Sequence, residues 1–186
     1  MLRICISGLS CSGKTTIGEE LSKGLGIAHI TKQSTGTYKR LEEDLGRGTN
    51  GSLELVQTAD SRYAKDFDTE ITALADKGDC VISTWLGPWV VKGPKISVWL
   101  DADAAARAKR YAARSGSGDE DAMERISKKD SESIRLFKDV YGIDVLDHSQ
   151  FDISINTGRI GIRDAVAVIS MLSIKKDGTK GEMYVT

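Results

Sequence analysis

Residues Gly8 to Thr15 read Gly-Leu-Ser-Cys-Ser-Gly-Lys-Thr and fill every fixed position of the pattern G-x-x-x-x-G-K-[ST]. Such a loop works only between a strand and a helix that together aim backbone amides at one point, so the pattern restricts the fold as well as the chemistry. Gly8 and Gly13 can take backbone angles that a Cβ resists, which lets successive N–H groups converge on a phosphate as an anion-holding nest. Lys14 adds a mobile positive charge. Thr15 offers a hydroxyl to a magnesium ion, and Thr15 and Thr16 open a helix whose N-terminal dipole favours negative charge. The segment Gly8, Leu9, Ser10, Cys11, Ser12, Gly13, Lys14, Thr15 and Thr16 is thus the expected cradle for the phosphates of ATP. Cys11 within it reads as unconstrained filler, or as a thiol whose pKa the nearby helix N-terminus lowers.

The flanks agree with the loop. Ile4 and Ile6 lie in a short β-branched run before it, and Ile17, Leu21 and Leu25 recur at spacing four after it, with Gly24 and Gly26 as stop signals. Five segments read as strands: Leu2 to Ser7, Ile27 to Ile30, Asp79 to Ser83, Lys95 to Leu100 and Phe151 to Asn156. Helical periodicity falls between them, in Ser52 to Lys77 (one long helix or two shorter ones), Ala102 to Arg114, Asp119 to Tyr141 and Ile160 to Ile174. This alternation predicts an α/β fold of three layers, a five-stranded parallel sheet with helices on both faces and ligands at the carboxyl ends of the strands.

A chain of 186 residues fits one domain able to bury its own core. Its 26 basic and 27 acidic residues nearly cancel, which gives no reason to expect nucleic acid or an acidic membrane as partner, so any anion site must be built locally. Cys5, Cys11 and Cys80 are too few and scattered for a disulfide framework or a zinc site, and no long apolar segment suggests a signal peptide or a membrane span. A cytoplasmic monomer acting on small molecules is the expectation.

Two segments read as movable. Residues 31–78 hold a short amphipathic piece, Tyr38 to Leu45, followed by a break from Gly46 to Gly51. Residues 107–135 join two helices through the flexible-looking Ser115-Gly116-Ser117-Gly118 and resemble a lid. Arg107, Arg110 and Arg114 sit at i, i+3 and i+7 on the first of these helices, a face that repels itself unless an anion answers it. The alternative of an ordinary solvated face stays open on charge alone. The single domain spans 1–174, and 175–186 reads as a polar tail.

The order of these features resembles that of the nucleoside monophosphate kinases, and most nearly the archaeal type of cytidylate kinase. Ser34-Thr35-Gly36-Thr37-Tyr38-Lys39-Arg40 is similar to that family's S-[TA]-G-x-x-x-R segment. Tyr141-Gly142-Ile143-Asp144 and Phe151-Asp152-Ile153-Ser154-Ile155-Asn156-Thr157 resemble its Y-G-I-D and Y-D-L-V-I-N-T pieces. The resemblance implies a P-loop kinase fold with an acceptor-binding lobe at 31–78 and a lid at 107–135, ATP and Mg2+ as cofactors, and Lys14, Arg110 and Arg114 as the phosphoryl-transfer residues. Arg107, Asn156 and Thr157 would join the donor site, Thr15 would face the metal, and Gly36, Arg40, Asp68, Trp85 and Arg135 would face the acceptor, CMP or dCMP.

One departure stands out. Where the family has L-E-G-R-L-A-G-W, this chain has Ile82-Ser83-Thr84-Trp85-Leu86-Gly87-Pro88-Trp89. An indole in place of an arginine fork weakens a phosphate grip by about 1–3 kcal/mol. Trp85 would stack on the acceptor base or fill core beneath it. Arg107 has two further readings, stacking on adenine or pairing with Asp101 or Asp103, and His29 and His148 read as structural. Two rival functions follow: a nucleotide-binding module or slow ATPase with a decayed acceptor site, and a kinase of a small alcohol using Asp60 or Asp68 as base.

Overall fold

The computed structural model describes residues 1–44, 61–93 and 95–176. Helices and strands alternate as the sequence predicts. The strands are β1 (Arg3–Gly8), β2 (Ala28–Ile30), β3 (Cys80–Ser83), β4 (Ile96–Asp101) and β5 (Ile153–Asn156). All pairings are parallel, in the order β2-β3-β1-β4-β5, which puts the strand leading into the phosphate loop at the centre. In register, Ile4 lies between Val81 and Ile96, and Gly8 reaches Leu100.

The two faces of β1 explain the layers. Ile4 and Ile6 point to one side, where Ile17 and Leu21 of α1 (Lys14–Leu25) meet Ala165 and Ile169 of α7 (Ile162–Lys176). Cys5 points to the other, toward Ile71 and Ala75 of α3 (Ser61–Ala75). Full burial of each such aliphatic side chain stabilises the fold by about 1.5–3 kcal/mol. Burial also pushes the Cys5 and Cys80 thiols up, to about 12 and about 11, so both behave as small core hydrophobes.

The remaining helices lie at the carboxyl ends of the strands. They are α2 (Gly36–Asp44), α4 (Gly87–Val90), α5 (Ala104–Ser115) and α6 (Asp119–Tyr141). The α5 and α6 helices pack through Ala108, Ala122 and Ile126, and α6 ends where expected, at left-handed Gly142. Two elements escaped the sequence reading. A single 3-10 turn, Lys32–Ser34, follows β2, and α4 starts with Pro88 in its first turn, a context too short for periodicity to register. The closing helix runs to Lys176, so it takes in the first two residues expected in the tail. The rest of that tail, the break at 46–51 and Asp60 lie outside the described residues.

Candidate active site

The phosphate loop is built as its glycines require. Gly8 has φ 144° and a Cβ there would lie 2.3 Å from the Leu100 carbonyl oxygen, while Gly13 has φ 101° and starts α1 without any side-chain cap. The first amides of α1 therefore have no internal partner, and the Ser10 and Ser12 hydroxyls are buried without one. These groups suit a phosphate. Cys11 is not idle filler: with φ 61° it is the one non-glycine residue in the left-handed region among the described residues. Its carbonyl accepts from Arg110 at 3.2 Å and its sulfur from Arg114 at 3.4 Å.

Behind the loop, Arg107 is 7% exposed. It donates to the Ser10 carbonyl and to Asp130 of α6, whose other oxygen accepts the Ser10 amide. This corrects the three expectations for Arg107, as a phosphate ligand, as an adenine platform, and as the partner of Asp101 or Asp103. Asp103 instead caps α5 by accepting from the Ala106 amide. The arginine stripe is real, but a carboxylate answers its first member, and Arg110 and Arg114 alone remain toward the loop.

Three cavities that share lining residues lie at the carboxyl ends of the strands. At one end Arg110, Thr157, Ile160 and Ile162 rim the outer side of the loop, with the exposed Thr15 and Thr16 hydroxyls at its floor. The central cleft shares Cys11, Lys14, Thr15 and Arg114 with that mouth and adds Lys32, Arg125 and Lys129. No carboxylate lines it among the described residues. The third cavity shares Lys32, Tyr38, Thr84 and Trp85 with the cleft and is otherwise apolar, closed by Phe67, Ile71, Leu136 and Phe137, with Asp68 as its one acid among the described residues.

The charges in the cleft are held at a cost. Lys14 donates to the Gly8 and Leu9 carbonyls at 2.7 Å, with its ammonium 5.3 Å from the Trp85 ring. Burial, and then the neighbouring Lys129 ammonium, bring Lys14 down to about 7. Burial and Lys32 bring Lys129 to about 8, and burial lowers Lys32 against the opposing pull of Asp68. Lysines lowered by burial and by one another, with Asp130 pulling Lys14 and Lys129 the other way, form a site whose charge an anion would complement.

Residues 3–159 match the cytidylate kinase-like family. The chain belongs to that family. Cytidylate kinases of Thermococcus kodakarensis and Ignicoccus hospitalis are 30% and 31% identical to it, covering 90% and 92% of this chain and 86% and 99% of theirs. Among solved structures, shikimate kinase from Acinetobacter baumannii superposes with a TM-score of 0.57 at 17% identity, covering 96% of this chain and 95% of that one. A deoxyadenosine kinase from M. mycoides gives 0.54 at 14%, covering 94% and 99%. These likenesses show the P-loop kinase fold. The family assignment makes the protein a nucleoside monophosphate kinase, a nucleotide-binding phosphotransferase, and no described helix is long and apolar enough to cross a membrane.

The acceptor side of this kinase departs from the sequence expectations. Arg40 is 61% exposed on its side chain and turns to Thr37 and Glu70 instead of lining a cavity. Glu70 also accepts the Gly36 and Thr37 amides, so the start of α2 is already answered by an internal carboxylate and Gly36 has no amide to offer. Arg135 is 85% exposed and reaches only Asp139 at 3.9 Å, away from all three cavities. Asn156 turns back to accept the Gly158 amide, leaving Thr157 at the mouth. Trp85 is brought in, 7% exposed and tilted against Phe137 at 5.7 Å. Asp68 is brought in too, accepting from the Tyr141 hydroxyl; burial raises its carboxyl above the usual range despite that bond.

The two histidines are structural as expected. His29 pairs with Ser83 at 3.0 Å and His148 lies 4.2 Å from the Trp99 ring. Lys32, Lys129, Asp130, Ile160 and Ile162 were not found in sequence. The pair Lys128-Lys129 preceding Asp130 was visible, but nothing local told which members of a mixed helix face inward.

Proposed function

We propose that the protein transfers the γ-phosphoryl group of magnesium-bound ATP to CMP or dCMP, giving ADP and the nucleoside diphosphate. The observation that carries this reading is a trench of three cavities that share lining residues, in which a cationic cleft with no lining acid among the described residues separates the loop mouth from an apolar pocket. In it, adenine lies against Ile160 and Ile162, with the triphosphate on the loop amides under Arg110 and Arg114. Magnesium, reached by the Thr15 hydroxyl, supplies further neutralisation of the phosphate charge.

The acceptor's phosphate oxygen is already an anion and needs no base, so alignment and charge suffice. Lys14 sits where both phosphates meet and neutralises the equatorial oxygens of the moving group, with Arg114 beside it. The base enters the apolar pocket along Trp85 and Phe67. There the Asp68 carboxylate, held by Tyr141, accepts a hydrogen bond from the exocyclic amine of cytosine, which uracil lacks.

One observation favours a second reading. Asp68 in an apolar pocket would also serve as base for an uncharged hydroxyl acceptor. A coupled ADP-release assay with CMP, dCMP, UMP, AMP, GMP and shikimate separates the two, with Lys14→Ala as control. CMP and dCMP should lead by tenfold or more over the other acceptors. Equal rates for all monophosphates overturn the base assignment, and a lead by shikimate overturns the monophosphate acceptor.

A further inference from the structure

A nucleoside monophosphate whose base occupies the apolar pocket must place its phosphate at the junction of that pocket with the cleft, within reach of Lys14. A dianion at that point draws on a cation besides Lys14, which the donor's phosphates share. None of the acceptor-side groups expected from the sequence supplies one. Arg40 turns to Thr37 and Glu70 and lines neither cavity, Arg135 is in solvent, and Trp85 brings an uncharged ring. Among the described residues, Lys32 is the one cation that lines both cavities.

We infer that Lys32 is the residue that binds the acceptor's phosphate. The inference rests on the reading of the site as a nucleoside monophosphate kinase and identifies a ligand that reading leaves open. Lys32 stands two residues past the carboxyl end of β2, on the side of the sheet where parallel folds bind ligands. Its backbone is fixed: the Thr31–Ser34 capping box shapes the 3-10 turn, and the Lys32 carbonyl accepts both the amide and the hydroxyl of Thr35. The ammonium lies 5.6 Å from the Phe67 ring, at the edge of the pocket, with Asp68 on the same wall. A pinned backbone and a four-carbon stem let the charge follow the phosphate from pocket to cleft without moving the sheet. Burial lowers the Lys32 ammonium below its ordinary range, and Asp68 on the same wall pulls the other way.

The test compares wild type, Lys32→Met and Lys32→Arg in the ADP-release assay at saturating ATP with CMP varied, and measures cytidine as a competitive inhibitor. Lys32→Met should raise the KM for CMP by about 10- to 100-fold, the loss expected for one charged hydrogen bond. It should leave the KM for ATP and the inhibition constant of cytidine within about threefold, since cytidine carries no phosphate. Lys32→Arg should restore most of the loss by keeping the charge. Equal losses for CMP and cytidine would show a role in shaping the pocket and overturn the inference, as would an unchanged KM for CMP. A wild type that releases ADP with no monophosphate would instead overturn the functional reading itself. Should Lys32→Met fail to fold by circular dichroism, Lys32→Gln carries the same comparison.

Discussion

The donor and acceptor halves of the trench are built on different principles. On the donor side, eight consecutive residues running from the end of β1 into α1 make the phosphate cradle, and their spacing fixes the geometry through two positive-φ glycines and an uncapped helix start. On the acceptor side, Lys32, Asp68, Trp85 and Leu136 come from four separate segments of the chain and meet only because the fold brings them together. A contiguous site is set by backbone conformation, whereas an assembled one is set by packing. The first resists substitution at particular positions, and the second can exchange one cation for another in a different element.

The sharpest way to break this contrast is to attack the contact that joins the halves from behind. Arg107→Ala leaves the Asp130 carboxylate buried without its partner and should cost about 3–5 kcal/mol of stability, read by chemical denaturation. A loss below about 1 kcal/mol would mean that the ion pair does not brace the loop. Next in size is Lys14→Ala, which should lower kcat by about 100- to 1000-fold with no loss of melting temperature, since the buried ammonium is itself destabilising. A larger loss of stability than of rate would make Lys14 a structural residue.

What the sequence showed and what it hid follow the same division. The strands, the loop and the full length of α6 were legible because periodicity, glycine stops and a motif with fixed spacing are local signals. The orientation of Arg107 was not legible, since its partner Asp130 lies 23 residues away on another helix. Arg40 and Gly36 were misplaced for a related reason. Glu70, on α3, takes the amides and helps hold the guanidinium, and no pattern within the α2 segment announces it. Trp85 was legible as a departure, but its meaning depended on Lys32, which follows the neighbouring strand of the sheet and lies 53 residues away in the chain.

A finer probe uses pH. Lys14 and Lys129 have folded-state values of about 7 and about 8 against an ordinary 10.5, so above pH 7 the unfolded chain binds more protons than the folded one. Their destabilising effect is therefore full below about pH 7 and fades as pH rises toward 10.5. A nucleotide's phosphates favour the protonated lysines, so binding has the opposite sign. ATP should bind with uptake of roughly one proton at pH 8 and weaken as pH rises from 7 to 9. Calorimetry in buffers of different ionisation enthalpy checks this, and release of protons would contradict the packed-cation picture. The smallest expected effect is that of Arg135→Ala, within about 0.5 kcal/mol in stability and without change in the KM for CMP. A clear rise in that KM would bring Arg135 back to the acceptor side.

The most direct measurement follows ADP and CDP together at saturating magnesium-ATP as CMP is added. Coupled transfer through the trench predicts one ADP released for each CDP formed, at a rate that saturates with CMP and collapses in Lys14→Ala. ADP release that proceeds without CDP and ignores added CMP would contradict it.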